Sequence, residues 1–162
     1  MTPRSPLSQF VGLLGWLLVA FAAAAVGAVA SVDAASFYSQ LSKPRWAPPA
    51  WLFGPVWSVL YFLMGVSGWL VWRSSGSRKV ALIFFCFQLA ANALWSWLFF
   101  AWHRGALASV DVLVLLALIM CTVAASWRNS RLAAVLLVPY LLWVSFASLL
   151  TWSVWQNNPG FL

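Results

Sequence analysis

Acidic residues are almost missing from this chain. Asp33 and Asp111 are the two in 162 residues, and His103 is the single histidine. A proton relay through a membrane needs a chain of acids or histidines, so proton-coupled transport has little support. Paired carboxylates, a Ser–His–Asp set, a glycine-rich phosphate loop and a Walker motif are all absent, which leaves no constellation for ordinary catalysis. Cys86 and Cys121 each sit inside an apolar run and form no CxxC pair. With one histidine beside them they offer no zinc or iron–sulfur ligand set, and they read as small apolar packing residues. Charged residues make up only 7% of the chain, against roughly 25% in soluble domains. The net charge is +7, but the nine basic residues stand singly or in small groups between apolar runs. No basic face tracks phosphates, so nucleic acid is not an expected partner.

What the chain has in abundance is apolar length. Hydrophobic residues reach 64%, more than a domain of this size hides from water. A membrane helix needs about 20 such residues. Five stretches qualify, at about residues 7–30, 51–72, 80–102, 106–127 and 132–155. The expected fold is therefore all-α: one domain, 1–162, an integral bundle of five transmembrane helices. The first stretch, with Arg4 before it and Ala28-Val29-Ala30 at its end, also resembles a secretory signal. Its run is longer than a usual signal core of about 7–15 residues, so a retained helix is expected.

Three connections are short: WRSSGSRK (72–79), HRG (103–105) and RNSR (128–131). They force antiparallel neighbours. The link between helices 1 and 2, residues 31–50, is long and is read as a functional loop. Its SVDAASFYSQL part suits a short helix starting near Ser31 or Asp33. Arg4, Arg73, Arg78, Lys79, Arg128 and Arg131 fall on one side of the membrane; Lys43, Arg45 and Arg104 fall on the other. The positive-inside rule then puts the N-terminus in the cytoplasm and the long loop outside, in a multi-pass membrane protein.

Of thirteen tryptophans, Trp72, Trp102, Trp127 and Trp155 close helices and read as interface anchors. Trp57, Trp69, Trp95, Trp97, Trp143 and Trp152 lie deeper, where an indole N–H needs a partner or a cavity. Gln88 and Asn92 stand one turn apart on a face continued by Trp95 and Phe99. That face must point into the bundle, either to bond another helix or to meet a ligand. Asp111 reads as functional or as a helix-dipole partner. Tyr140, Trp143, Ala147 and Thr151 share a face of the fifth helix, near a kink expected at Pro139. Ala147 either leaves a slot beside Trp143 or admits another helix.

The segment KPRWAPPAWLFGPVWSVLYFLMG (43–65) resembles the signature of the translocator protein family, TspO/MBR. That family holds the tryptophan-rich sensory proteins of bacteria and the peripheral benzodiazepine receptor of animals. The resemblance continues, in family order, through QLAANALWSWLFF (88–100), ALASVDVLVL (106–115) and VPYLLWVSFASLLTWSVW (138–155). It implies a five-helix bundle, often a homodimer, with a cavity under the first loop. It implies a membrane receptor or sensor that needs no cofactor and takes protoporphyrin IX, haem or similar flat apolar molecules as ligands. Stress signalling and light-dependent porphyrin breakdown belong to the same implication, as does an alternative role in porphyrin transport, for which the chain shows no inverted repeat. By resemblance the ligand contacts are Trp46, Trp51, Trp57, Asn92, Trp95, Tyr140, Trp143 and Ala147. Trp57 and Trp143 match the tryptophans tied to photochemistry. Lys43, Pro44, Arg45, Pro48 and Pro49 form the loop cover: the prolines limit its freedom, and the two cations are placed to meet propionates.

The chain also departs from the family. Thr151 stands where many members have Asn, and Leu107 stands where animal members have an aromatic residue, so one cavity wall is expected to differ. No Lys or Arg follows Arg131, so the C-terminal sterol pattern is absent.

Overall fold

The computed structural model describes residues 5–76 and 78–162. Arg4, counted above for orientation, and Ser77 of the second connection lie outside the described residues. The first helix, α1 (Pro6–Ala30), starts where Pro6 can spare its N–H and the Ser5 hydroxyl accepts from the Ser8 amide at 3.3 Å. Then come a short α2 (Ala34–Gln40), a 3₁₀ turn (Ala50–Leu52) and α3 (Phe53–Arg73). Helix α4 (Arg78–Ser96) continues as a π-helical turn over Trp97–Ala101. His103 ends that turn in the left-handed region, with φ of 51°. Helix α5 is Gly105–Trp127, α6 is Arg131–Leu136 and α7 is Val138–Asn157. Five helical segments are long and apolar enough to cross a membrane.

The fifth segment differs from the single kinked helix expected. It breaks at Leu137 into α6 and α7. Pro139 has no N–H to give the carbonyl of Val135, and Leu137 instead donates to Ala134 at 3.1 Å, closing a tighter turn. Asp33 stands at the start of α2, as expected, but its side chain makes no cap bond.

The helices close into a ring. Helix α1 packs between α3 and α4, α5 between α4 and the α6–α7 segment, and α6 returns to α3. Lipid supplies no hydrophobic drive between helices, so close packing must hold them. At the end remote from the long loop it does. Leu17 covers Gly65, Trp16 covers Gly68 and Trp72 covers Gly12. The Trp69 indole donates to the Gln9 carbonyl at 3.0 Å, and Ser67 Oγ donates to the Ala133 carbonyl at 2.8 Å. Met64, Phe85, Leu89, Leu115, Ile119 and Val144 fill the centre. Cys86 and Cys121 are exposed on the outer helix faces rather than packed inside. Trp102 and Trp127 are exposed at helix ends, as anchors would be. Trp72 and Trp155 serve packing instead, over Gly12 and Gly105. Trp152, read as deep, is exposed on the outer surface.

Candidate functional site

A cavity of about 640 Å³ lies in the loop-side half of the bundle. Its floor is a hydrogen-bonded bridge across three helices. The Tyr61 hydroxyl of α3 donates to Asn92 Oδ1 of α4, and Asn92 Nδ2 donates to the Tyr140 hydroxyl of α7 at 3.0 Å. All three residues are buried. An amide at this depth has no water to satisfy it, so bonding both tyrosines fixes its place.

The walls are mainly aromatic. Trp57 packs on Tyr61 at 5.7 Å and edge-on to Tyr140 at 6.1 Å. Trp95 stacks on Phe99 with centroids 5.3 Å apart, and Phe100 stands edge-on to both. The π-helical turn brings this cluster about: Trp102 donates to Trp97 and Arg104 to Leu98, both at 2.8 Å, so the wider turn keeps Trp95, Phe99 and Phe100 all on the cavity side. Across from them, Trp143 meets Phe53 edge-on at 6.0 Å, with Ala147 and Thr151 above it on α7. Two indole groups, Nε1 of Trp95 and of Trp143, are buried without a hydrogen-bond partner among the described residues. Both rings line the cavity.

The roof is α2, through Ala34, Ala35 and Tyr38, together with Ala50. Three ties hold it. Asn158, beyond the end of α7, accepts from the Ser42 amide at 2.8 Å and donates to the Ser42 carbonyl at 2.9 Å. The Lys43 ammonium donates to the carbonyls of Tyr38 (2.6 Å), Leu41 (3.0 Å) and Ser39 (3.4 Å), closing the C-terminus of α2. The Tyr38 hydroxyl donates to the Pro48 carbonyl at 3.0 Å. Burial pushes that phenol above its ordinary value, which keeps it a donor further into alkaline pH.

Of the residues named from sequence, Trp57, Asn92, Trp95, Trp143 and Ala147 come together around the cavity. Tyr140 lies fully buried beneath it and holds Asn92. Trp46 and Trp51 do not line it. Trp51 is 72% exposed, and Trp46 sits outside, edge-on to Phe146 at 5.6 Å. Lys43, Pro44, Arg45, Pro48 and Pro49 are not on the cavity surface either. The lysine is spent on α2, so the cover is α2 itself, stiffened from behind by the proline segment. Leu107 is exposed on the outer surface and shapes no cavity wall. Thr151 does line the cavity. Gln88 is buried but its amide nitrogen lies 3.8 Å from the Met64 sulfur, away from the cavity. Asp111 keeps Oδ2 buried and unpaired among the described residues, also off the cavity surface.

Sequence reading missed the wall from α1, made by Phe21, Ala24, Ala25 and Ala28. Its signal was there, in small residues three and four apart. It also missed Tyr38, Tyr61 and Phe53. Asn158 carries no local signal, because its partner, Ser42, is 116 residues away.

The TspO/MBR family model matches residues 15–156. Protein CrtK of Rhodobacter capsulatus is 41% identical over 142 residues, covering 85% of this chain and 87% of that relative. The human translocator protein is 40% identical over 129 residues, covering 77% of this chain and 76% of the human one. The tryptophan-rich sensory protein of Cereibacter sphaeroides is 37% identical over 149 residues, covering 90% of this chain and 94% of its own length. With the five-span helical bundle and the aromatic cavity on the same segments, the chain belongs to the TspO/MBR family of integral membrane proteins.

Proposed function

We propose that the protein is a membrane receptor for tetrapyrroles such as protoporphyrin IX or haem, held in the cavity above the Tyr61–Asn92–Tyr140 floor. One observation carries the reading: an aromatic-walled cavity lined by the rings of Trp57, Trp95 and Trp143. Cavities of this size, between roughly 300 and 1,000 Å³, suit small-molecule ligands. A flat macrocycle stacks on indole faces, each pair adding roughly 0.5–1.5 kcal/mol beyond burial. Arg45, exposed and unpaired among the described residues, is the loop cation free to meet a propionate; Lys43 is already bonded. The N-terminus on the cytoplasmic face of a bacterial cell membrane, with the roof outside, is part of the same proposal and rests on the basic-residue asymmetry.

The test is equilibrium quenching of tryptophan fluorescence by protoporphyrin IX in the dark, on wild type and Trp143→Phe. Saturable quenching that weakens in the variant supports the reading. Quenching that never saturates, and is the same in both, is partitioning into the surrounding lipid or detergent and refutes it.

A further inference from the structure

Gly54, Ser58, Tyr61, Gly65, Gly68 and Trp72 lie on one stripe of α3, at steps of three and four, and α1 meets it at Tyr61, Gly65, Gly68 and Trp72. At the end remote from the roof the stripe is closed. A Cβ on Gly65 would lie 3.0 Å from the Leu17 backbone, and one on Gly68 would lie 2.9 Å from the Trp16 ring. Midway, Phe21 meets Tyr61 with centroids 6.4 Å apart. Towards the roof the stripe is empty. A Cβ on Gly54 meets nothing within 4 Å. Gly54 and Ser58, with Ala25 and Ala28 of α1 opposite, are exposed and also line the cavity. The helix pair is therefore tightly packed at one end, and at the other it leaves small exposed residues that line the cavity.

The gap lies between two segments long and apolar enough to cross a membrane. Phe21 to Ala28 stand nine to two residues before the end of α1, about 3–14 Å from it along the helix. The small residues and the Ser58 hydroxyl, bonded back to the Gly54 carbonyl at 2.9 Å, leave no polar barrier there. The roof is tied by Asn158, Lys43 and Tyr38. The outer groove between α3 and α7, which includes Val59 and Leu142, ends against Trp143. Behind that ring Phe53 and Trp57 complete the wall.

The geometry points to a lateral portal between α1 and α3, through which a flat apolar ligand dissolved in the roof-side leaflet passes into the cavity without crossing water. The proposal rests on the tetrapyrrole reading and adds the route and the phase from which the ligand comes. Two consequences follow. The ligand is drawn from the bilayer, so the association rate tracks its mole fraction there. Bulk in the gap obstructs arrival and departure alike.

The experiment uses the full chain in lipid nanodiscs and protoporphyrin IX as the probe, with stopped-flow tryptophan quenching as the readout. In wild type the association rate should rise with porphyrin mole fraction in the bilayer while free aqueous porphyrin is held constant. In Ala25→Phe/Ser58→Leu, association and dissociation rates should both fall about tenfold. Val59→Phe and Leu142→Phe, in the closed groove, should leave both rates as in wild type. Rates that follow aqueous porphyrin and ignore the bilayer dose overturn the portal, as do unchanged rates in the double variant. The wild-type dose dependence decides the matter even if the double variant does not fold. Failure of wild type to give saturable quenching at all removes the receptor reading and the portal with it. That result is distinct from portal failure, in which binding saturates and only the route is wrong.

Discussion

Removing the Asn158 side chain should loosen the roof by an amount the structure sets. Asn158 is 5% exposed and makes three side-chain hydrogen bonds. One, to the Val154 carbonyl at 2.7 Å, stays within its own helix end. The other two clasp the amide and carbonyl of Ser42, at 2.8 and 2.9 Å, and tie the start of the proline segment to α7. Each contributes about 0.5–1.5 kcal/mol net, so the clasp holds the roof by about 1–3 kcal/mol. At about 1.36 kcal/mol per tenfold, Asn158→Ala should raise the open population about 5- to 150-fold. Amide hydrogen exchange reads this directly, because the Ser42 N–H is itself one of the donors. Exchange at Ser42 should speed up by that factor, while amides in the middle of α5 stay as they were. Asn158→Asp keeps an oxygen for the Ser42 amide and loses the bond to its carbonyl, so it should fall between. Unchanged exchange at Ser42 in Asn158→Ala would refute the clasp.

Two further outcomes test the packing. Gly65→Ala pushes a Cβ against the Leu17 backbone and should destabilise the bundle by about 1–3 kcal/mol. Gly54→Ala enters open space and should be neutral or slightly stabilising, and a detergent-unfolding titration followed by circular dichroism separates the two. At the floor, Tyr61→Phe and Asn92→Ala should be coupled by about 0.6–1.7 kcal/mol in a double-mutant cycle, the range for hydrogen bonds between membrane helices. Strict additivity there would mean the bond contributes nothing.

Much of this architecture is legible from composition, because lipid leaves the backbone few solutions. A run of 20-odd apolar residues must be a helix, and short links must make hairpins. The inward face of α4 is legible for the same reason: Gln88 and Asn92 could not be left in lipid. What the sequence hides is where helices diverge. Gly54 and Gly65 lie on one stripe of one helix, yet one faces open space and the other a backbone. Nothing local distinguishes them. The π-helical turn at Trp97–Ala101 is hidden too, since it is a response to packing rather than to propensity. Trp46 and Trp51 looked like ligand contacts because they sit in the signature, but the 3₁₀ turn at Ala50–Leu52 leaves Trp51 facing outward. The loop lysine looked like an anion partner, yet the carbonyls ending α2 already hold it.

The most direct test of the cavity as a ligand site is to fill it. Ala147→Trp places an indole in the space beside Trp143, where Ala147 now lines the cavity. An overpacked site typically costs about 1–3 kcal/mol. Dark titration with protoporphyrin IX should therefore show affinity weakened about 5- to 150-fold, with the helical content of the protein retained. Wild-type affinity and stoichiometry in a folded Ala147→Trp protein would place the porphyrin somewhere else and contradict the cavity as its site.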